Sequence, residues 1–249
     1  MKKYLIIILS VFFLITFFSL RVFAAGANIW QNDSIISDAA YDQKNPVIVT
    51  DGSDGAIVFW EYYRTGQNTS GWLYAQKLTS GGTVMWTQNG VQVSTSSRIE
   101  ITSYLKAIPD GSGGAIIAWQ DYRNGNYDIY CQKIDSNGQI LWGNGDLAVI
   151  SKSGSQGNPA LCGDGLGGAV IVWEDSSGTN TKIVAQRINS AGSKVWTSTG
   201  VVVCSSTKEM TSPKVAYDGL ANFFVVWDEL RTVGNDEDIF IQKIKLSSV

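Results

Sequence analysis

Histidine is absent from the 249-residue chain, proline occurs only 4 times and cysteine 3 times. Without imidazole there is no Ser/His/Asp or Cys/His arrangement and no His-ligated zinc, which removes much of hydrolase chemistry. Charged residues make up 16% of the chain and form no basic run, so nothing is available to neutralise phosphates, and nucleic acid is not expected as a partner. Cys131, Cys162 and Cys204 are odd in number and match no metal-ligand spacing, so at least one thiol is expected to be buried and free. No stretch beyond residue 25 carries helical periodicity. No cofactor and no metal is expected. What the chain does have is 44% hydrophobic residues, 26 Gly and 9 Trp, a composition that builds a packed core.

The first residues read as an address. Lys2 and Lys3 precede an apolar run from Tyr4 to Leu20, followed by Arg21 and the small-residue site Val22-Phe23-Ala24. Residues 1–24 are therefore expected to be a signal peptide cut after Ala24, giving a secreted, periplasmic or cell-surface protein. The alternative is an uncleaved membrane anchor through residues 4–20. Removal of Lys2, Lys3 and Arg21 leaves 16 basic residues against 22 acidic ones.

The remainder, 25–249, is expected to form one domain made of repeats. DGSDGAIVFWEYYR, DGSGGAIIAWQDYR, DGLGGAVIVWEDSS and DGLANFFVVWDELR begin at Asp51, Asp110, Asp164 and Asp218. Each is followed by a Gln-bearing strand, LYAQKL, IYCQKI, IVAQRI or IFIQKI, and the first three then by a turn glycine with a Trp four residues on, as in SNGQILW. A period of this length holds four short strands and their turns, here A to D in chain order. Strand B is apolar at every position, which requires cover on both faces of its sheet. The expected fold is therefore an all-β propeller of four blades of four antiparallel strands, with repeats at about 45–98, 99–151, 152–205 and 206–249. Trp30 begins a lone D element while the last copy stops after strand C, so residues 26–40 are expected to complete the last blade and close the ring. A monomer is expected on that count, with exchange of D strands between two chains as the alternative.

The motifs DGxGGAIVxW, DIYxQKI and GxxxW together resemble bacterial secreted β-propeller repeats, and more distantly the Trp-docking repeats of quinoprotein propellers. The likeness runs from about Trp30 to Leu246. It implies a fold and no reaction; the Gly138-to-Trp142 spacing differs by one from the sialidase Asp-box, so sialidase activity gains no support.

Spacing separates fixed from variable ends. Asp to Trp along A-B is nine residues in all four copies, and Gln to Trp along C-D is ten in three, whereas the B-C and D-A connections vary. The variable end is the expected binding face. The candidate ligand-binding residues there are Tyr62, Tyr63, Arg64, Trp72, Tyr122, Arg123, Tyr127, Asp128, Arg231 and Asp238. Arg123 with Asp128, and Arg231 with Asp238, read as latches across the B-C hairpin, and Arg64 beside Trp72 as a cation-π pair. The acidic loop Asp236 to Asp238 reads as solvated, with a calcium loop as the alternative. The expected function is an exported, non-enzymatic binding or surface-interaction module for a glycan or a protein. The alternatives are a paired-carboxylate glycosidase-like enzyme using Glu61, Asp121, Glu174 or Asp175, and Asp228, or a structural ring without a small ligand.

Overall fold

The computed structural model describes residues 33–63, 71–95, 104–143, 145–230 and 236–246. The N-terminal address, residues 25–32 with Trp30, Arg64 and Arg231 lie outside them, as do the tips of the first and last B-C loops. The described residues form strands and turns with no helix, so none is present that is long and apolar enough to cross a membrane.

Four antiparallel sheets make up the protein, each an up-and-down meander. Blade 1 is β1 (Asp42–Thr50), β2 (Ala56–Tyr63), β3 (Trp72–Leu78) and β4 (Val91–Gln92). Blade 2 is β5 (Lys106–Pro109), β6 (Ala115–Asp121), β7 (Asp128–Ile134) and β8 (Leu147–Ile150). Blade 3 is β9 (Ser155–Gly163), β10 (Ala169–Ser176), β11 (Lys182–Ile188) and β12 (Val201–Ser205). Blade 4 has only β13 (Met210–Tyr217), β14 (Asn222–Leu230) and β15 (Glu237–Lys245). The architecture is that of a β-propeller, with inner strands β1, β5, β9 and β13 packed in sequence.

The apolar B strands explain the stacking. β6 is buried along its whole length because Ile117 and Trp119 face blade 1 while Ile116 and Ala118 face blade 3. Trp119 and Trp173 are wholly buried, each removing ~150–250 Å² from water, roughly 4–6 kcal/mol as an upper bound before entropy. The conserved-looking spacings are hydrogen-bond distances in sequence form. Gln132 Oε1 accepts the Trp142 N–H at 2.9 Å, and Gln76 and Gln186 do the same for Trp86 and Trp196, which fixes the ten-residue interval. The indoles then cross to the next blade: Trp86 donates to the Ser136 carbonyl at 3.2 Å and Trp142 to that of Ser190 at 3.1 Å.

In the A-B turns, Asp110 Oδ1 accepts the N–H groups of Ser112 and Gly114 at 2.7 and 2.9 Å. Its other oxygen lies 3.3 Å from Lys133 Nζ, which also donates to the Gly167 carbonyl of the next blade. Gly111 has φ +79°, as the turn requires, whereas Gly114 is needed for room, since a Cβ there would sit 2.2 Å from the Ile134 carbonyl. Asn222, at the Gly114 position of blade 4, is an extended strand residue and not the left-handed one its replacement of Gly suggests.

The end of the repeat departs from expectation. Residues 33–41 form no strand, and Ile36 packs on Val58 and Trp60 of blade 1. Among the described residues, β15 pairs with β14 alone. Four sheets and their stacking are therefore present; of residues 26–40, expected to complete blade 4, 26–32 lie outside the described residues and 33–40 form no strand.

Candidate functional site

The inner strands carry an irregularity at the end where the variable loops enter. Asn45, Asn158 and Ser212 have φ of 52°, 50° and 57°, and each precedes a proline, Pro46, Pro159 or Pro213. The registers of β1, β9 and β13 slip at these points. Left-handed non-glycine residues before proline store strain, and three in corresponding positions mark a place the fold holds against local preference.

What holds it is the side chain that follows the column Trp on strand B. In blade 2, Gln120 Oε1 accepts the backbone N–H of Asn158 on blade 3 at 3.1 Å. In blade 3, Glu174 Oε1 accepts the Ser212 N–H of blade 4 at 2.8 Å and the Asn158 amide at 2.7 Å. Blade 1 differs. Glu61 is wholly buried; its Oε2 accepts from Asn45 Nδ2 at 3.0 Å and from the Tyr63 hydroxyl, and its Oε1 has no partner among the described residues. Burial pushes the Glu61 carboxyl above its ordinary value, against the pull of those two donors. Burial likewise raises Glu174, opposed by Asn158 and Ser212. The Tyr63 phenol is pushed up by burial and by the neighbouring Glu61.

Two other carboxylates of the set are ion-paired. Asp121 is ion-paired with Arg123 at 2.6 Å, and Asp175 with Lys152 at 2.6 Å. Burial works to raise Asp175, but Lys152 and Ser177 outweigh it and hold its carboxyl below the usual range. Asp228 lies on β14 opposite Thr211.

The residues singled out for ligand binding do not gather into one site. Tyr62 is half-buried and meets Tyr74 edge-on at 5.3 Å, with Trp72 opposite it across the ladder. Tyr62 and Tyr74 line a groove of about 240 Å³ with Trp60, Ser37 and Asn89. Tyr63 is buried in the core. Tyr122 and Tyr127 form a separate edge-on pair in blade 2 at 5.0 Å. The Arg123–Asp128 latch does not form. Arg123 instead turns to Asp121 and, at 2.5 Å, to Asp146 just before β8, and stacks 4.0 Å above the Tyr130 ring. Asp128 is held by Asn124, Asn126, Ser151 and the Lys152 N–H. Arg123 prefers Asp121 because the hairpin turns between residues 122 and 125, and this brings a carboxylate two residues away into bidentate reach. Asp238 stands opposite Glu229 in the β14–β15 ladder. The described residues contain no group of three His, Cys, Asp or Glu side chains placed to hold a metal ion.

No protein-family profile and no curated protein matches the sequence. Solved structures do match in fold. A protein of unknown function from Dyadobacter fermentans aligns over 84% of this chain and 68% of its own, at 11% identity and a TM-score of 0.52. An endo-arabinase from Bacteroides thetaiotaomicron aligns over 80% and 74%, at 14% identity and a TM-score of 0.42. The α-L-arabinanase of Penicillium chrysogenum aligns over 76% of this chain and 59% of its own, at 13% identity and a TM-score of 0.47. The likeness is one of fold, and no sequence match supports the repeat families suggested by the motifs. The expectation of a non-enzymatic binding module is corrected to this extent: the solved structures that align with the chain include an endo-arabinase and an arabinanase, which are enzymes.

Proposed function

We propose that the chain is a glycosidase-like enzyme acting on a polysaccharide through the carboxyl groups at the inner end of strand B. The observation that carries this reading is the inequality of Glu61 and Glu174. Repetition alone would make equivalent carboxylates do equivalent work, and catalysis of glycoside cleavage needs an acid and a base in unlike surroundings. Here the inter-blade tie is made by Gln120 and Glu174 and left open at Glu61, whose Oε1 is buried and without a partner among the described residues.

Glu61 is the general acid. Burial favours its neutral form, so it delivers its proton to the leaving glycosidic oxygen as the C–O bond breaks. Glu174, held in orientation by Ser212 and Asn158, is the base that takes a proton from the water adding at the anomeric carbon. The test is hydrolysis of arabinan, other plant polysaccharides and aryl α-L-arabinofuranosides by the purified chain, with reducing ends as the readout. Arabinose polymers come first because they are what the arabinanases of similar fold are named for. The expected result is turnover of one of these substrates, lowered at least about 100-fold in Glu61→Gln with the melting point retained. No turnover across the panel, or full activity in Glu61→Gln, overturns the reading.

A further inference from the structure

Blade 2 carries a polar knot that the proposed chemistry does not use. Its B-C hairpin reads Asn124-Gly125-Asn126-Tyr127-Asp128, with a side-chain oxygen on Asn124, Asn126 and Asp128. The hairpin turns at Gly125, whose φ is +83° and whose N–H bonds the Tyr122 carbonyl at 3.1 Å. All three polar side chains then meet the segment that leads into β9, at Ser151, Lys152 and Gly154. Asp128 is wholly buried, yet no lysine or arginine among the described residues pairs with it. Arg123 is taken by Asp121 and Asp146, and the Lys152 ammonium by Asp175. The hydrogen bonds to Asp128 come from neutral groups: Asn124 Nδ2 at 2.7 Å, Ser151 Oγ at 2.9 Å, and Asn126 Nδ2 and the Lys152 N–H at 3.1 Å. A carboxylate taken out of water without a counter-charge is costly.

Oxygen is in excess beside it. Asn126 Nδ2 lies 2.8, 2.9 and 3.3 Å from the carbonyl oxygens of Gly154, Lys152 and Tyr127, and 3.1 Å from Asp128 Oδ1. One amide nitrogen has two hydrogens to share among these four acceptors. The next blade adds a further oxygen. Gln156 on β9 is wholly buried; its Nε2 donates to the same Gly154 carbonyl at 2.9 Å and its backbone N–H to the Tyr127 carbonyl at 2.8 Å. Its Oε1 has no partner among the described residues. A buried acceptor left without a donor calls for an explanation, and this one belongs to the same knot as a carboxylate lacking a counter-charge. A water would satisfy Gln156 Oε1 but would bring no charge to Asp128.

We infer that this knot is a binding site for calcium. Its donors are oxygens throughout, one carboxylate with amide and backbone carbonyl groups, which is the set that a hard cation of variable coordination takes. Turned over, the Asn126 amide presents its oxygen in place of its nitrogen, and the cation serves the carbonyls that had shared that nitrogen. Magnesium demands a near-ideal octahedron and keeps several waters, so an irregular set of carbonyls does not suit it. A single carboxylate makes the site a weak one, with a dissociation constant of about 0.1–1 mM. Asn124 and Ser151 are exposed at its rim and leave the ion a way in from solvent. Bound there, calcium fastens the B-C hairpin of blade 2 to the first residues of β9 in blade 3. The inference does not depend on the glycosidase reading.

The experiment takes the full chain stripped with EGTA and titrates it with calcium chloride or magnesium chloride at constant ionic strength. The readouts are the melting point and terbium luminescence sensitised through Tyr127 and Tyr130. The expected result is a melting point that climbs with calcium, half of the rise falling at about 0.1–1 mM, with no rise for magnesium over that range and with terbium emission that calcium displaces. Gln156→Met removes the stranded oxygen and keeps the fold, because blade 4 carries the wholly buried Met210 at the same place, eight residues before its turn Asp. It is expected to weaken calcium at least about tenfold. Asp128→Asn is expected to abolish the rise. A melting point that calcium leaves unchanged up to about 10 mM overturns the inference and assigns the stranded oxygen to water. An equal rise with magnesium overturns it too, as does a calcium response that Gln156→Met leaves at native strength.

Discussion

The carboxylate of Glu174 on β10 accepts the backbone N–H of Ser212 on β13 at 2.8 Å, so the third blade is tied to the fourth at a left-handed residue that opens the inner strand. The bond offers Ser212 an acceptor that the slipped ladder does not. Glu174→Ala removes it and strands the Asn158 amide too, and is expected to cost about 1–3 kcal/mol in urea unfolding. Glu174→Gln keeps a carbonyl oxygen where Gln120 already has one, and is expected to cost less. Equal losses in the two variants would mean that the side chain acts by packing and not as an acceptor.

Glu61 gives a pH dependence whose sign follows from the direction of its shift. Burial raises the folded value above the ordinary 4.5, so the folded state holds the proton more tightly than the unfolded one. Its contribution to stability is complete below 4.5 and is lost as pH rises through the folded value. Glu61→Gln cannot ionise, and its unfolding free energy is expected to be flatter than the native curve between 4.5 and the folded value. A native curve that rises with pH as steeply as that of the variant would show that Glu61 does not carry this proton.

The fold was legible because its regularities are long-range ones written in short motifs. The nine-residue Asp-to-Trp interval is an A-B hairpin closed on Asp51, Asp110, Asp164 or Asp218, and the all-apolar B strands state that both faces are covered. Two features were visible and passed over. Pro46, Pro159 and Pro213 each stand five residues before the turn Asp, and they mark the inner-strand irregularity where the carboxylates gather. Lys77, Lys133 and Arg187 each follow the strand-C Gln and reach back to the turn Asp at 3.1, 3.3 and 2.9 Å. The unequal surroundings of Glu61 and Glu174 could not be read in advance, because they depend on which neighbouring inner strand supplies an N–H and not on residue type.

The thiols respond to burial in graded fashion. All three cysteines are free; Cys131 is wholly buried in the contact between blades 2 and 3, and burial drives its thiol far up. Burial pushes Cys162 up to about 12, and Cys204 also upward, with Glu229 adding to the effect. Reactivity follows the thiolate, so in folded protein at about pH 8 a thiol reagent is expected to label Cys204 first, Cys162 more slowly and Cys131 only after unfolding. Mass mapping of the labelled peptides checks the order. Rapid labelling of Cys131 in folded protein would mean that blades 2 and 3 separate readily.

Arg123 is the residue whose partners the sequence misassigns, and a double-mutant cycle separates the alternatives. Its guanidinium is partly buried between Asp121 and Asp146 and over the Tyr130 ring. Burial alone would lower its pKa, but the two carboxylates outweigh burial and raise it. Both carboxylate side chains are fully shielded from solvent, so Arg123→Ala leaves two buried acids without their cation and is expected to cost about 3 kcal/mol, more than an exposed pair provides. Adding Asp146→Ala to that variant should recover part of the loss, because one of the stranded charges is gone. Asp128 is satisfied by Asn124, Asn126, Ser151 and the Lys152 N–H, so Asp128→Ala should add its own cost to that of Arg123→Ala with a smaller coupling than Asp146 shows. If the larger coupling falls on Asp128, the hairpin latch exists in solution and the bridge to Asp146 does not.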